Sequence, residues 1–144
     1  MPAICSGLFS IFLTLVLMFI PLPTKAQETE SDIPGVITLD AEALIQLALD
    51  NPDLVVIDSR VSEDRALGYI EDSVSLPDAQ TSCKTLKKIV ASKSRLLAFY
   101  CNGEQCERSA KALKVARQCQ YQHLFWFRGG FQEWRLKDYP YLME

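Results

Sequence analysis

An apolar run, Arg95-Leu96-Leu97-Ala98-Phe99-Tyr100, ends abruptly in Cys101. A short polar loop follows, Asn102-Gly103-Glu104-Gln105-Cys106, and the chain then runs on through Glu107 and Arg108. The run reads as a buried strand, and a helical pattern begins at about Glu107. At such a junction backbone N–H groups and a helix N-terminus converge, so negative charge on a sulfur is stabilised. The chemistry this points to is a thiolate nucleophile made without a histidine. The chain holds one histidine, His123, and it lies elsewhere, read as a surface loop residue before a strand. The bland alternative for Cys101 is a small apolar side chain packed at a strand end. The glycine loop and the helix start favour the nucleophile. Three roles stay open for Cys106: disulfide partner of Cys101, resolving thiol, or packing at the helix start.

The elements that must position this cysteine alternate along the chain. Val36-Ile37-Thr38-Leu39 reads as a short strand. Asp40 caps a helix to about Asp50, with Ala43, Leu44, Leu47 and Ala48 on one face, and Asn51-Pro52 stops it. Leu54 to Asp58 is a second, buried strand. Ser62 to Ala66 is a helical turn, and Val74 to Leu76 a short strand before Pro77. Thr81 or Ser82 caps a helix to about Ala91. The strand ending at Tyr100 is followed by a helix from Glu107 to about Gln118. Leu124 to Phe127 is the last strand, and Gly129-Gly130 turns the chain into a short helix carrying Phe131 and Trp134. Strands alternating with helices predict a parallel sheet covered on both faces. Ligands of such sheets bind beyond the carboxyl ends of the strands, where Asp58 and Cys101 both fall.

The first residues form a separate unit. Leu8 to Ile20 is nearly all apolar, Pro21 and Pro23 break it, and Thr24-Lys25-Ala26 offers a small-residue cleavage site. Residues 1–26 are therefore expected to be a signal peptide, with an uncleaved membrane anchor as the alternative. Residues 27–35 are polar without periodicity and read as a linker, leaving residues 36–144 as one domain. The net charge of −3 and the lack of a basic patch argue against nucleic acid as a partner. Cleavage would leave Cys83, Cys101, Cys106 and Cys119 in an oxidising compartment, periplasmic or extracellular, where cysteines are bridged or chemically used. No paired Cys-x-x-Cys spacing points to a metal.

Four motifs in order resemble the rhodanese family over essentially residues 36–142. Val56-Ile57-Asp58-Ser59-Arg60 is similar to its hydrophobic-Asp-x-Arg strand end. Gly68-Tyr69-Ile70 through Pro77 resembles its Gly-His-Ile…Pro segment, with Tyr69 in place of the usual His. Tyr100-Cys101 matches the catalytic cysteine ending the central strand, and Phe127-Arg128-Gly129-Gly130-Phe131-Gln132-Glu133-Trp134 the late Gly-Gly-aromatic motif. The resemblance implies an α/β, three-layer domain with a central, mostly parallel five-stranded sheet and helices on both faces. It implies a sulfurtransferase in which Cys101 takes a sulfane sulfur as a persulfide and passes it to a thiol acceptor. Amides of Asn102, Gly103, Glu104, Gln105 and Cys106 would cradle the outer sulfur. Arg108 is the nearest cation in the sequence, and Asp58 and Arg60 read as a structural ion pair or as loop supports rather than chemical participants. A small sulfur donor, no cofactor, no metal, a monomeric state and no membrane contact after cleavage complete the expectation.

The loop departs from the family pattern by reaching its helix later and by carrying Glu104 and Glu107 beside the nucleophile. Carboxylates there raise a thiolate's pKa and repel dianionic donors such as thiosulfate. Six residues separate Cys101 from Arg108, one too many for the cysteine–arginine loop of phosphatase relatives. Cys83 with Cys119 is the expected structural pairing, because it leaves the active loop intact; free burial of both is the alternative. Two other functions stand beside sulfur transfer. One is a thiol–disulfide redox protein using Cys101 with Cys106. The other is a non-catalytic rhodanese-like binding module.

Overall fold

The computed structural model describes residues 29–30 and 33–143, so the expected signal peptide lies outside the described residues. A six-stranded sheet runs in the order β1-β2-β6-β5-β3-β4. Five strands are parallel: β2 (Val36–Leu39), β3 (Val55–Asp58), β4 (Val74–Ser75), β5 (Leu96–Tyr100) and β6 (His123–Phe127). The sixth, β1 (Thr29–Glu30), pairs antiparallel with β2. That strand and the buried Ile33 fall within the segment 27–35 expected to be a linker. Polar side chains gave no periodicity there, because the pairing of a two-residue edge strand is a backbone property. His123 is exposed as expected, but it begins β6 rather than preceding it.

Among the described residues five α-helices cover the sheet: α1 (Ala41–Asp50), α2 (Ser62–Ala66), α3 (Cys83–Ile89), α4 (Arg108–Gln118) and α5 (Gly130–Leu136). Asp40 caps α1 by accepting from the Ala43 amide at 2.8 Å. Ser82 and Thr85 form a reciprocal capping box at α3, which settles the choice between Thr81 and Ser82. The central strand divides its side chains by the period of two. Leu97 and Phe99 join Ile57, Leu124 and Trp126 under Leu86 of α3 and Leu113 of α4. Ala98 and Tyr100 join Leu39, Phe125 and Phe127 under Leu44 of α1 and Phe131 and Trp134 of α5. A disulfide between Cys83 and Cys119, with Cα atoms 5.4 Å apart, ties the start of α3 to the residue after α4. No helix among the described residues is long and apolar enough to cross a membrane.

Candidate active site

The register of the sheet sets the site. Asp58 of β3 lies opposite Tyr100 of β5, which lies opposite Phe127 of β6. The Ser59 amide donates to the Tyr100 carbonyl at 3.0 Å, carrying the ladder one step past the strand end. Cys101 follows directly and is buried, 1% exposed. Its carbonyl accepts from the Phe131 amide at 2.9 Å, and the next carbonyl, of Asn102, accepts from the Gln132 amide at 2.7 Å. The helix that reaches the cysteine's backbone is thus α5, while α4 begins at Arg108 with Glu107 as its N-cap, close to the expected start. The approach needs glycine. Gly130 has φ +58°, and a Cβ there would run into the carbonyl oxygen of Cys101.

Behind the cysteine, one carboxylate organises the strand ends. Asp58 Oδ1 accepts from the Arg60 amide at 3.1 Å and from Arg60 Nε at 2.8 Å. Its Oδ2 accepts from Arg60 Nη2 at 2.7 Å, Arg65 Nη1 at 3.2 Å and the Tyr100 hydroxyl at 2.7 Å. Arg60 also donates to the Gly68 carbonyl at 2.8 Å and lies over the Phe131 ring, 4.5 Å from its centroid. Arg65 donates to the hydroxyl and the carbonyl of Ser73 and stacks on Tyr69 at 3.7 Å. Burial, with the Asp58 carboxylate beside it, pushes the Tyr100 phenol far above its ordinary pKa, so it stays a donor. Asp58 and Arg60, expected as supports, thus pair with each other and bind the strand ends to residues 65–73. They do not face the loop that follows Cys101.

That loop closes on itself. Cys101 and Cys106 form a second disulfide, with Cα atoms 6.0 Å apart. The pairing of Cys83 with Cys119 therefore does not leave the active loop open. The Cys106 amide, expected in the cradle for an outer sulfur, is taken by the Gly103 carbonyl at 2.9 Å. The amides of Asn102, Gly103, Glu104 and Gln105, the other four expected there, donate to nothing among the described residues. Arg108 does not point a free charge at the sulfur. It donates to Asp64 Oδ2 at 2.7 Å, and the same oxygen accepts from Asn102 Nδ2 at 2.8 Å. These two donors, the Asn102 amide first, hold the Asp64 carboxyl below its usual range. The loop is therefore fixed at both ends, by α5 at Cys101 and by Asp64 of α2 at Asn102 and Arg108.

Two cavities open on the loop at Cys106. One, of about 520 Å³, is lined by Asn102, Gly103, Gln105, Cys106, Arg108 and Gln132 among others. The other, of about 360 Å³, is lined by Glu104, Cys106, Lys111, Lys114, Trp126 and Arg128 among others. Cys106 is half-buried and lines both; Cys101 lines neither. Of the two carboxylates expected beside the nucleophile, Glu104 lines the second cavity alone and Glu107 lines both. Asp64, Arg65, Ser73 and Gln132 escaped the sequence reading. Asp64 and Arg65 look like surface charges in a five-residue helix, and only the fold brings Asp64 to residues 38 and 44 positions away.

Residues 40–137 match the Rhodanese-like domain. A comparison with curated proteins gives no match. Among solved structures, a protein from Bacillus halodurans superposes with a TM-score of 0.64 at 23% identity, over 74% of this chain and 76% of its own. A rhodanese-like domain from Anabaena gives 0.63 at 21% identity, over 74% and 79%. A thiosulfate sulfurtransferase from Pseudomonas aeruginosa gives 0.57 at 18% identity; the match covers 74% of this chain and 20% of that larger one. With most of its described residues inside the matched span and its strand order and cysteine placement as above, the chain belongs to the rhodanese-like domain family.

Proposed function

We propose that the protein is a sulfurtransferase that carries sulfane sulfur as a persulfide on Cys101 and acts after export, in the periplasm or outside the cell. The observation that carries the reading is the seat of Cys101. It follows the central strand of a rhodanese-like domain, its carbonyl is fixed by the Phe131 amide, and four loop amides beside it are unengaged. In the reduced protein the Cys101 thiolate attacks the outer sulfur of a donor. With thiosulfate the sulfur–sulfur bond breaks and sulfite leaves with the electron pair. The thiolate of a small acceptor then attacks that outer sulfur, and Cys101 departs as thiolate. No cofactor or metal takes part, and one chain suffices. Export is supported by the Cys83–Cys119 disulfide, a bond that persists in oxidising compartments.

The Cys101–Cys106 disulfide favours a second reading, a thiol–disulfide redox protein that handles no sulfane sulfur. Intact-mass and peptide analysis of the reduced protein separates the two. After treatment with thiosulfate or glutathione persulfide, the Cys106→Ser variant should gain one sulfur atom on Cys101, and a Cys101→Ser variant should gain none. Undiminished sulfur transfer by Cys101→Ser would reject the assignment. Failure of Cys106→Ser to gain sulfur from either donor, with the wild type forming only the loop disulfide, would favour the redox reading.

A further inference from the structure

We propose that Cys106 is a resolving thiol. It attacks the Cys101 persulfide, expels sulfide and leaves the loop disulfide, which an external dithiol reopens by attacking Cys106. The inference rests on the Cys101 persulfide reading and changes its product from a persulfidated acceptor to free sulfide.

Three features of the loop carry it. First, the two sulfurs are bonded, so the fold brings Sγ of Cys106 onto Sγ of Cys101. Second, the loop holds that approach. The Gly103–Cys106 turn, the α5 amides on the Cys101 and Asn102 carbonyls, and the Arg108–Asp64 pair restrain it at three points. A thiol held in this way competes well against thiols in dilute solution, because its encounter with the target is already arranged. Third, the two sulfurs differ in access. Cys101 is buried and lines neither loop cavity, whereas Cys106 is half-buried and lines both.

The first step balances as follows. The Cys106 thiolate attacks Sγ of Cys101, a bond forms between the two protein sulfurs, and the bond from Sγ of Cys101 to the outer sulfur breaks. The outer sulfur leaves with the electron pair as hydrosulfide. The sulfane sulfur is reduced by two electrons, and the two cysteines are oxidised to the disulfide. Resetting needs two electrons from a dithiol, either a small dithiol or a protein with a vicinal cysteine pair. Its thiolate can reach only the accessible sulfur, so it bonds to Sγ of Cys106 and Cys101 leaves as thiolate. The second thiol of the reductant then attacks its own sulfur in the mixed disulfide and releases Cys106.

The test is a single turnover of the reduced, full-length mature protein without external thiol, with glutathione persulfide as donor. Sulfide is measured, and the cysteines are alkylated and located by fragmentation of their shared peptide. The wild type should release about one sulfide per chain and end as the Cys101–Cys106 disulfide. Cys106→Ser should release none and keep its sulfur on Cys101. A wild-type persulfide as long-lived as that of Cys106→Ser overturns the inference while leaving the carrier reading intact. A Cys106→Ser protein that takes up no sulfur overturns the carrier reading, and the inference with it. In a second arm, the oxidised wild type is treated with glutathione, a monothiol that stalls at the mixed disulfide. Glutathione should be found on Cys106 and the alkylating label on Cys101; the opposite distribution overturns the assigned point of attack.

Discussion

Replacing Asp58 by asparagine removes one charge and almost no volume, so it isolates what the carboxylate does for the strand ends. In the native protein two buried guanidinium groups, of Arg60 and Arg65, converge on that single carboxylate at 2.7 and 3.2 Å. At an effective dielectric near 20, each such pair attracts by roughly 4 kcal/mol, which offsets the cost of taking three ions out of water. Asparagine leaves both cations buried with no anion in the cluster. It also turns an amide NH₂ towards groups that are themselves donors: Arg60, Arg65 and the Tyr100 hydroxyl. Breaking a buried pair in this manner costs about 3–5 kcal/mol. At roughly 4 °C per kcal/mol for a domain of this size, Tm should fall by on the order of 12–20 °C. Denaturant unfolding at pH 7 gives the free energy directly, with an unchanged m-value showing that the folded state is otherwise intact. Tyr100→Phe, which loses a hydroxyl bonded to the same oxygen but no charge, should cost less, about 1.5–3 kcal/mol. If Asp58→Asn came within about 1 kcal/mol of wild type, the carboxylate would not be compensating the two cations and the argument would fail.

The Cys83–Cys119 bridge closes a loop with a sequence separation of 36, which in the chain-entropy account is worth about 4 kcal/mol. A Cys83→Ala/Cys119→Ala double variant should lose roughly that amount in denaturant unfolding, and a loss under about 1 kcal/mol would show that the unlinked chain is already restrained. Gly130→Ala should cost at least about 2 kcal/mol, since a left-handed backbone is combined with a clash against the Cys101 carbonyl. Wild-type stability in that variant would place the α5 turn elsewhere. Asp64 has a folded pKa below its unfolded value. Its pairing therefore adds stability that is full above about pH 4 and disappears as pH falls through the lower, folded value. The stability gap between wild type and Asp64→Asn should stay constant from pH 7 to about 5 and narrow below about 4; a gap that widens in acid would reverse the sign of the linkage.

What was legible in the sequence follows from how local its cause is. The strand ends at Asp58 and Cys101 announced themselves because apolar runs of strand length stop there against loop residues, and a parallel sheet puts such ends on one edge. The capping of α1 by Asp40 was legible because an N-cap acts within three residues. The role of Asp64 was not. Its neighbours Glu63 and Arg65 make it look like one more surface charge, and its partners come from the loop after Cys101 and from the start of α4 through the fold. Strand β1 was hidden for a different reason, because backbone pairing of Thr29 and Glu30 demands nothing of their side chains. The bond between Cys101 and Cys106 lay between these cases. Spacing permitted it, but only the turn from Gly103 to Cys106 decides that the two side chains meet.

The two hydrogen bonds from α5 to the carbonyls of Cys101 and Asn102 involve no side chain at all. The backbone at Cys101 is consequently held without help from the side chains of Glu104, Gln105 and Glu107, so long as Gly130 admits the approach. Substitutions at those three exposed positions change what the loop presents without touching the two fixed posts. A domain built so can vary what its loop presents by altering one surface segment. The position of Cys101 is held by the glycine turn that opens α5.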